Sequence, residues 1–123
     1  MDLNAFTDQQ KQALVDLLIL GMYADGNLDL IEEEKAQRVL DAIRFSSSSA
    51  RQYFIDASFA RARKHGASPE STRQYVADIG KNFPTKELCG QVRAALEESL
   101  SSDNQVADRE RELLAMVTEE FGL

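Results

Sequence analysis

The feature that most constrains the fold is an almost wholly apolar stretch, Ala13–Ala24, with the sequence ALVDLLILGMYA. Asp16 is its only charged residue. A helix over this stretch carries apolar side chains on every side, so we expect it to be buried nearly all round rather than along one stripe. Its twelve residues are too few to cross a bilayer, which needs about 20. We therefore expect the rest of the chain to be organised around this helix.

Length and composition favour one globular domain over residues 1–123. The 43% hydrophobic and 28% charged content is ordinary for a soluble protein. The first residues, MDLNAFTDQQ, lack the basic and apolar regions of a secretion signal, and no segment is long enough to span a membrane. The single cysteine, Cys89, cannot form an internal disulfide. These observations predict a cytoplasmic protein.

The net charge of −7 is unevenly distributed along the chain. Residues Arg44–Arg93 contain nine Lys/Arg and four Asp/Glu, whereas the rest contains five Lys/Arg and seventeen Asp/Glu. This distribution predicts an electrically bipolar molecule, which disfavours nucleic acid as a partner of the acidic part. It favours a protein partner instead, with a homodimer held through opposite charge poles as one option.

Capping signals predict the first pair of helices. Thr7-x-x-Gln10 is a capping box with Phe6 placed as a hydrophobic staple, and the helix is expected to run to about Tyr23. Asp29-x-x-Glu32 opens a second helix, which is expected to end near Phe45. Its apolar positions at helical spacing are Ala36, Val39, Leu40 and Ile43.

Four more helices follow the break at Ser46–Ser49. The third is expected from Ala50 to about Lys64, the fourth from Ser68-Pro69, and the fifth after Thr85, while the sixth stops at Gly122. Alternating β-branched residues are absent, so we predict an all-α, single-domain bundle of about six helices. The third helix carries Phe54, Ala57 and Arg61 on one side, and the inward positions expected in the later helices are Tyr75, Val76, Ile79, Leu88, Val92, Ala95, Leu96, Leu100, Leu113, Leu114, Val117 and Phe121.

The pattern of a helix, an acidic turn and a second helix occurs twice, at an offset of 78 residues. The repeat units cover about residues 10–45 and 85–123, and the basic helical pair 46–84 lies between them. The second copy departs from the first where Asn104 replaces Gly26 and Ala107 replaces Asp29. The matching positions are Leu14 with Val92, Leu18 with Leu96, Met22 with Leu100, Asp25 with Asp103, Leu28 with Val106, Glu32 with Glu110, Val39 with Val117 and Ile43 with Phe121.

The first acidic turn, residues 25 to 32, matches the back half of an EF-hand loop, with Glu32 at the bidentate position. The front half does not match, because the first two ligand positions fall on Gly21 and Tyr23. A high-affinity calcium loop is therefore not expected. Two interpretations stay open: the acidic residues only cap helices, or they form a weak divalent site for calcium or magnesium. The candidate metal ligands are Asp25, Asp29, Glu32, Asp103 and Glu110.

The segment MYADGNLDLIEEEKAQRVLDAI resembles the recurring unit of the TerB-like, tellurite-resistance-associated family, and ESLSSDNQVADRERELLAMVTEEFGL resembles the same unit. The resemblance covers most of the chain. It implies a compact all-helical domain in a bacterial stress-response setting, with no enzymatic activity and with metal binding proposed for the acidic residues. Matched position by position, the acidic role falls on Asp25 and Glu32 and, in the second unit, on Asp103 and Glu110.

No nucleophile elbow, phosphate loop or dinucleotide fingerprint is present, so we predict no catalytic residues and no organic cofactor. The leading hypothesis is a non-enzymatic module that binds a divalent cation weakly, or a protein partner, through its acidic turns. The alternative is an interaction domain without a metal site, and a metal-assisted hydrolase is a remote third. The basic cluster Arg61–His65 is expected to be a solvated helix end with His65 in a loop, and Cys89 a buried thiol.

Overall fold

The computed structural model describes residues 6–25, 34–100 and 108–123. These residues form six α-helices and no strand, which confirms the all-α class. The helices are α1 (Asp8–Asp25), α2 (Glu34–Ala42), α3 (Ser48–His65), α4 (Pro69–Gly80), α5 (Lys86–Leu100) and α6 (Asp108–Glu120).

Helix α1 is the central element of the bundle. It contacts each of the other five helices, and six nearly consecutive side chains, Leu14 to Leu20 except Asp16, are at most 2% exposed. Consecutive burial of this kind requires neighbours on every side, as the apolar stretch predicts. Complete burial of one such side chain contributes about 1.5–3 kcal/mol to folding. Within the described part of the chain, no helix is both long and apolar enough to cross a membrane.

The helices run alternately up and down along α1. Lys11 Nζ near the start of α1 donates to the carbonyl of Ala42, the last residue of α2, at 3.1 Å, so α2 is antiparallel to α1. Helix α3 runs in the direction of α1, because Arg61 pairs with Asp16 and Gly66 lies against Tyr23. Helices α4 and α6 run the opposite way. As a result, the last turns of α1 and α3 lie at the same end of the bundle as the first turns of α4 and α6.

Three phenylalanine rings close the opposite end, which we call the aromatic end. The Phe6 and Phe83 rings meet edge to face at 6.0 Å, and the Phe83 and Phe121 rings lie 6.1 Å apart. Gly80 ends α4 directly against the Phe121 ring, where an added Cβ would lie 2.8 Å from a ring carbon. Phe6, Phe83 and Phe121 are all at most 8% exposed. The chain segments before α1, between α4 and α5, and after α6 are thus packed together here.

The capping box that starts α1 is present as predicted. The backbone N–H of Gln10 donates to Thr7 Oγ1 at 3.1 Å, and the backbone N–H of Thr7 donates to Gln10 Oε1 at 2.9 Å. The staple predicted for Phe6 would bring its ring against Lys11, one turn into α1, and stays a prediction. The contact that the structure shows is with the Phe83 ring. Phe6 therefore joins the start of α1 to the α4–α5 connection.

The other described helix ends follow their predicted caps closely. Ser47 caps α3, which begins at Ser48, two residues before the predicted start at Ala50. Ser68 caps α4, with Pro69 in its first turn. Thr85 Oγ1 accepts the Leu88 amide at 3.2 Å at the start of α5. Gly122 follows α6 with a φ of 72°, a left-handed conformation that glycine adopts without strain. The predicted start of α2 at Asp29 lies outside the described residues.

The predicted inward positions of α4, α5 and α6 are buried or half-buried wherever their side chains are described. The matching positions of the two repeat units are also buried alike. The four pairs with both side chains described are Leu14 and Val92, Leu18 and Leu96, Val39 and Val117, and Ile43 and Phe121, all at most 8% exposed.

The packing face of α3 differs from the expected side. The buried positions are Ile55, Ser58 and Ala62, whereas Phe54 and Arg61 are half-buried at the edge of this face. The face is set by polar contacts, because Ser58 and Arg61 both donate hydrogen bonds to the Asp16 carboxylate of α1. An apolar periodicity cannot reveal a face whose centre is a serine.

Candidate functional site

The five predicted metal ligands lie at or beyond the edges of the described segments. Asp29, Glu32 and Asp103 are outside the described residues. Asp25 is the last residue of α1 and Glu110 lies in the first turn of α6, but neither side chain is described. Among the side chains that are described, no group of three or more His, Cys, Asp or Glu residues could hold a metal ion.

The helix ends that lead into the two acidic turns nevertheless lie side by side. Leu20 and Tyr23 from the last turns of α1 line the same pocket as Glu112, Leu113 and Met116 from the first turns of α6. Asp25 follows Tyr23 by two residues, and Glu110 precedes Glu112 by two. The described backbone therefore brings the ends of both acidic turns to one end of the bundle, which we call the pocket end.

The pocket itself has a volume of about 370 Å³ and is open to solvent on one side. The connection between α3 and α4 forms its second wall, with Ala67 and Ser68. The described surface of the pocket is about equally polar and apolar, and its one charged group there is the carboxylate of Glu112. The described residues that line it are Leu20, Tyr23, Gly66, Ala67, Ser68, Pro69, Thr72, Glu112, Leu113 and Met116.

The Tyr23 ring is positioned by a glycine. Gly66 follows α3, and an added Cβ there would lie 2.8 Å from a Tyr23 ring carbon and 2.7 Å from the Ala62 carbonyl oxygen. Gly66 has φ −78°, which any residue adopts, so close contact rather than backbone conformation favours glycine here. The contact places the Tyr23 ring at the wall of the pocket.

The hydroxyl groups at the pocket wall are partly used within the protein. Thr72 Oγ1 donates to the carbonyls of His65 at 2.9 Å and Ser68 at 2.8 Å. Ser68 Oγ accepts the Ser71 amide at 3.1 Å, which caps α4. Since a threonine hydroxyl has one proton, Thr72 can offer a ligand only its acceptor lone pairs.

A polar cluster in the middle of the bundle holds α3, and with it this wall, against α1. Asp16 Oδ1 accepts hydrogen bonds from Ser58 Oγ at 2.6 Å and from Arg61 Nη2 at 2.7 Å. The Asp16 side chain is 16% exposed and Ser58 is fully buried. A carboxylate so shielded from water needs such partners, because an unpaired buried charge is strongly destabilising. The one charge in the apolar stretch therefore sets the register of α3 on α1.

Tyr75 borders this cluster without joining it by a hydrogen bond. Its hydroxyl is buried and has no hydrogen-bond partner among the described residues. Burial raises the pKa of Tyr75 to about 12, the Asp16 carboxylate adds to the increase, and Arg61 opposes it. The ring stacks on His65 with centroids 4.5 Å apart. Tyr75 is thus held neutral as part of the core.

The structure corrects two expectations about the basic cluster. His65 is the last residue of α3 rather than a loop residue, and it stacks on Tyr75. Arg61 is only partly solvated, because it pairs with Asp16 and lies 5.9 Å from the Phe54 ring centroid. Arg63 and Lys64 are exposed in the last turn of α3, as expected. The pocket end therefore carries charges of both signs.

Cys89 is a buried thiol, as predicted. It is 5% exposed, and its Sγ donates to the Phe83 carbonyl at 3.3 Å. Burial raises the pKa of the thiol, which disfavours the reactive thiolate. This cysteine therefore belongs to the packing of the aromatic end.

Sequence reasoning missed the Asp16 cluster and the pocket. A lone charge inside an otherwise apolar helix was a usable signal, because such a charge needs a partner on a neighbouring helix. The pocket gave no comparable signal. Its walls come from three separate segments, and its aromatic wall depends on the absence of a side chain at Gly66.

Comparisons with known proteins do not assign a relationship to this chain. No protein-family model matches it, and no curated protein or solved structure is significantly similar.

Proposed function

We propose that this protein is a non-enzymatic, TerB-like binding module whose acidic turns bind a hard divalent cation such as calcium or magnesium weakly. The observation that carries the proposal is the shared pocket of α1 and α6. Because Tyr23 and Glu112 line one cavity, the chain enters the first acidic turn next to the point where it leaves the second. Carboxylates from both turns could then act on one ion, as hard cations with several oxygen ligands require.

The resemblance of the two acidic segments to the TerB-like unit adds the biological part of the proposal, a role in tellurite resistance or another bacterial stress response. A protein partner recognised by the same turns is compatible with this role. Loss of tellurite tolerance on deletion of the gene, restored by the wild-type chain, tests the biological part separately from the chemistry.

Thermal melts with and without millimolar calcium, magnesium or manganese test the cation. A ligand at 100 times its dissociation constant adds about 2.7 kcal/mol to the free energy of unfolding. We expect a rise in the melting temperature that Asp25→Asn or Glu32→Gln removes. Asp56→Asn is the matched control, because Asp56 is exposed in the middle of α3 and, among the described residues, accepts a hydrogen bond only from Gln52. A chain whose melting temperature responds to none of the three cations contradicts cation binding and favours the capping interpretation of the turns.

A further inference from the structure

A second kind of ligand fits the pocket end, independently of the acidic turns. We propose that the pocket between α1, the α3–α4 connection and α6 binds a small organic cation, an aliphatic body bearing an ammonium or guanidinium group. The proposal goes beyond the divalent-cation site, because it uses none of Asp25, Asp29, Glu32, Asp103 and Glu110. It rests on the charge, the walls and the surroundings of the pocket.

The charge of the lining favours a cation. Among the described residues, Glu112 is the one charged residue at the wall, and it makes no ion pair or side-chain hydrogen bond with them. Arg63 and Lys64 are nearby in the chain, but neither lines the pocket. Thr72 offers only acceptor capacity, since its proton is shared between two carbonyls. An ammonium or guanidinium group supplies donors to these oxygens.

The walls favour an organic body on that cation. Leu20 and Leu113 are 2% exposed and Met116 is 9% exposed, so each reaches the pocket with only a small part of its surface. The Tyr23 ring adds an aromatic wall, and an aromatic face attracts a cation placed over it. A bare metal ion gains nothing from these contacts. An alkyl chain buries apolar surface there at roughly 25 cal/mol per Å².

Size and surroundings favour a small molecule over a docked protein. The volume of about 370 Å³ lies near the lower end of ligand pockets, which span roughly 300–1,000 Å³. Protein interfaces need a central apolar patch around such an anchor. The large hydrophobic side chains that are exposed in the described residues are Tyr53 and Leu123, and neither lines the pocket.

NMR titration of the 123-residue chain with matched pentyl-type probes tests the proposal. The probes are pentylammonium and pentylguanidinium as cations, pentanol as the neutral control and pentanoate as the anion, all at one ionic strength. We expect saturable shifts of the Tyr23, Gly66 and Leu113 amides with both cations and at least about tenfold weaker binding of the other two, because a charge-assisted contact is lost. Equal binding of pentanoate, or shifts that never saturate or lie elsewhere, overturns the proposal.

Two variants locate the interaction. Glu112→Gln should weaken binding of both cations about tenfold, while Glu87→Gln, an exposed glutamate in the first turn of α5, should leave it unchanged. The double variant Asp25→Asn, Glu32→Gln should still bind the organic cations in the pocket, even if it no longer responds to divalent metals. The two proposals can therefore fail separately. Unchanged affinity in Glu112→Gln overturns this one. So does the absence of saturable binding of either cation to the wild type.

Discussion

The two ends of the helical bundle are built differently. At the aromatic end, Phe6, Phe83 and Phe121 pack against one another, and an added Cβ at Gly80 would collide with the Phe121 ring. At the pocket end, a cavity of about 370 Å³ stays open and Glu112 has no partner among the described residues. Dense packing serves stability, whereas a cavity with an unpaired charge costs packing and suits recognition. The two ends therefore differ in packing, and the binding that we propose is placed at the more open end.

The largest expected difference between the ends comes from shortening one core side chain at each. Phe83→Ala removes the ring that joins Phe6 to Phe121, so we expect a loss of about 3–5 kcal/mol in the free energy of unfolding. Met116→Ala removes a side chain that already borders a cavity, and we expect a loss of about 1–2 kcal/mol. Urea denaturation of both variants measures the two losses. Equal losses would mean that the pocket end is packed as tightly as the aromatic end.

The Asp16 cluster lies between the two ends of the bundle. Substituting Asp16 therefore tests whether the position of α3 links their stabilities. Asp16→Ala leaves Ser58 buried without its acceptor and Arg61 without its counter-ion. Because Arg61 is 38% exposed and partly solvated, we expect a loss of about 2–3 kcal/mol rather than the larger cost of a fully buried pair. Asp56→Ala, at an exposed position of α3, should change the unfolding free energy by less than about 0.5 kcal/mol.

Amide hydrogen exchange adds a local readout for the Asp16→Ala variant. If Asp16 anchors α3, amides in the last turns of α3 should lose more protection than those near Phe83. Uniform loss of protection would show that the cluster stabilises the whole bundle without a special relation to the pocket wall.

Much of the fold could be predicted from local chemistry. The two helix caps at Ser68-Pro69 and Thr7–Gln10 each involve at most four consecutive residues. Their formation therefore does not depend on contacts with distant parts of the chain. The central position of α1 was predictable for a similar reason, because an all-apolar helix has no face to turn to water.

The features that were not predictable depend on contacts between distant segments. The packing face of α3 is set by Asp16, 42 residues before Ser58. The partner of Phe6 is Phe83, in a different connection of the chain. The candidate site is of the same kind, since the pocket joins α1, the α3–α4 connection and α6. The metal ligands predicted from the acidic turns stay a prediction, because Asp29, Glu32 and Asp103 lie outside the described residues.

A smaller effect is expected at Tyr75, whose buried hydroxyl lacks a hydrogen-bond partner in the described structure. At neutral pH, Tyr75→Phe should leave the unfolding free energy unchanged or raise it by up to about 1 kcal/mol, since an unsatisfied polar group is removed. A loss above that size would show that the hydroxyl makes a stabilising contact with Arg61.

The raised pKa of Tyr75 predicts that the free energy of unfolding decreases at alkaline pH. The folded pKa of about 12 is raised above the ordinary value of 10.0, so the folded state favours the neutral phenol. Its contribution is complete below pH 10 and is lost as the pH rises towards 12, by about 1 kcal/mol at pH 11. The free energy of unfolding of the wild type should therefore fall faster than that of Tyr75→Phe between pH 9 and pH 11. Parallel pH profiles would contradict a strongly raised pKa.

The smallest expected effects compare one polar residue at each end. At the aromatic end, Asn82 Oδ1 accepts from Gln9 at 3.2 Å and Nδ2 donates to the Ile79 carbonyl at 3.0 Å, so Asn82→Ala should cost about 1 kcal/mol. At the pocket end, Glu112 is exposed and unpaired among the described residues, so Glu112→Gln should change stability by less than about 0.5 kcal/mol. Urea denaturation at low and high salt measures both. A clear loss in Glu112→Gln would assign this carboxylate to folding and would remove the contrast between the ends, because a group that stabilises the fold is not held free for a ligand.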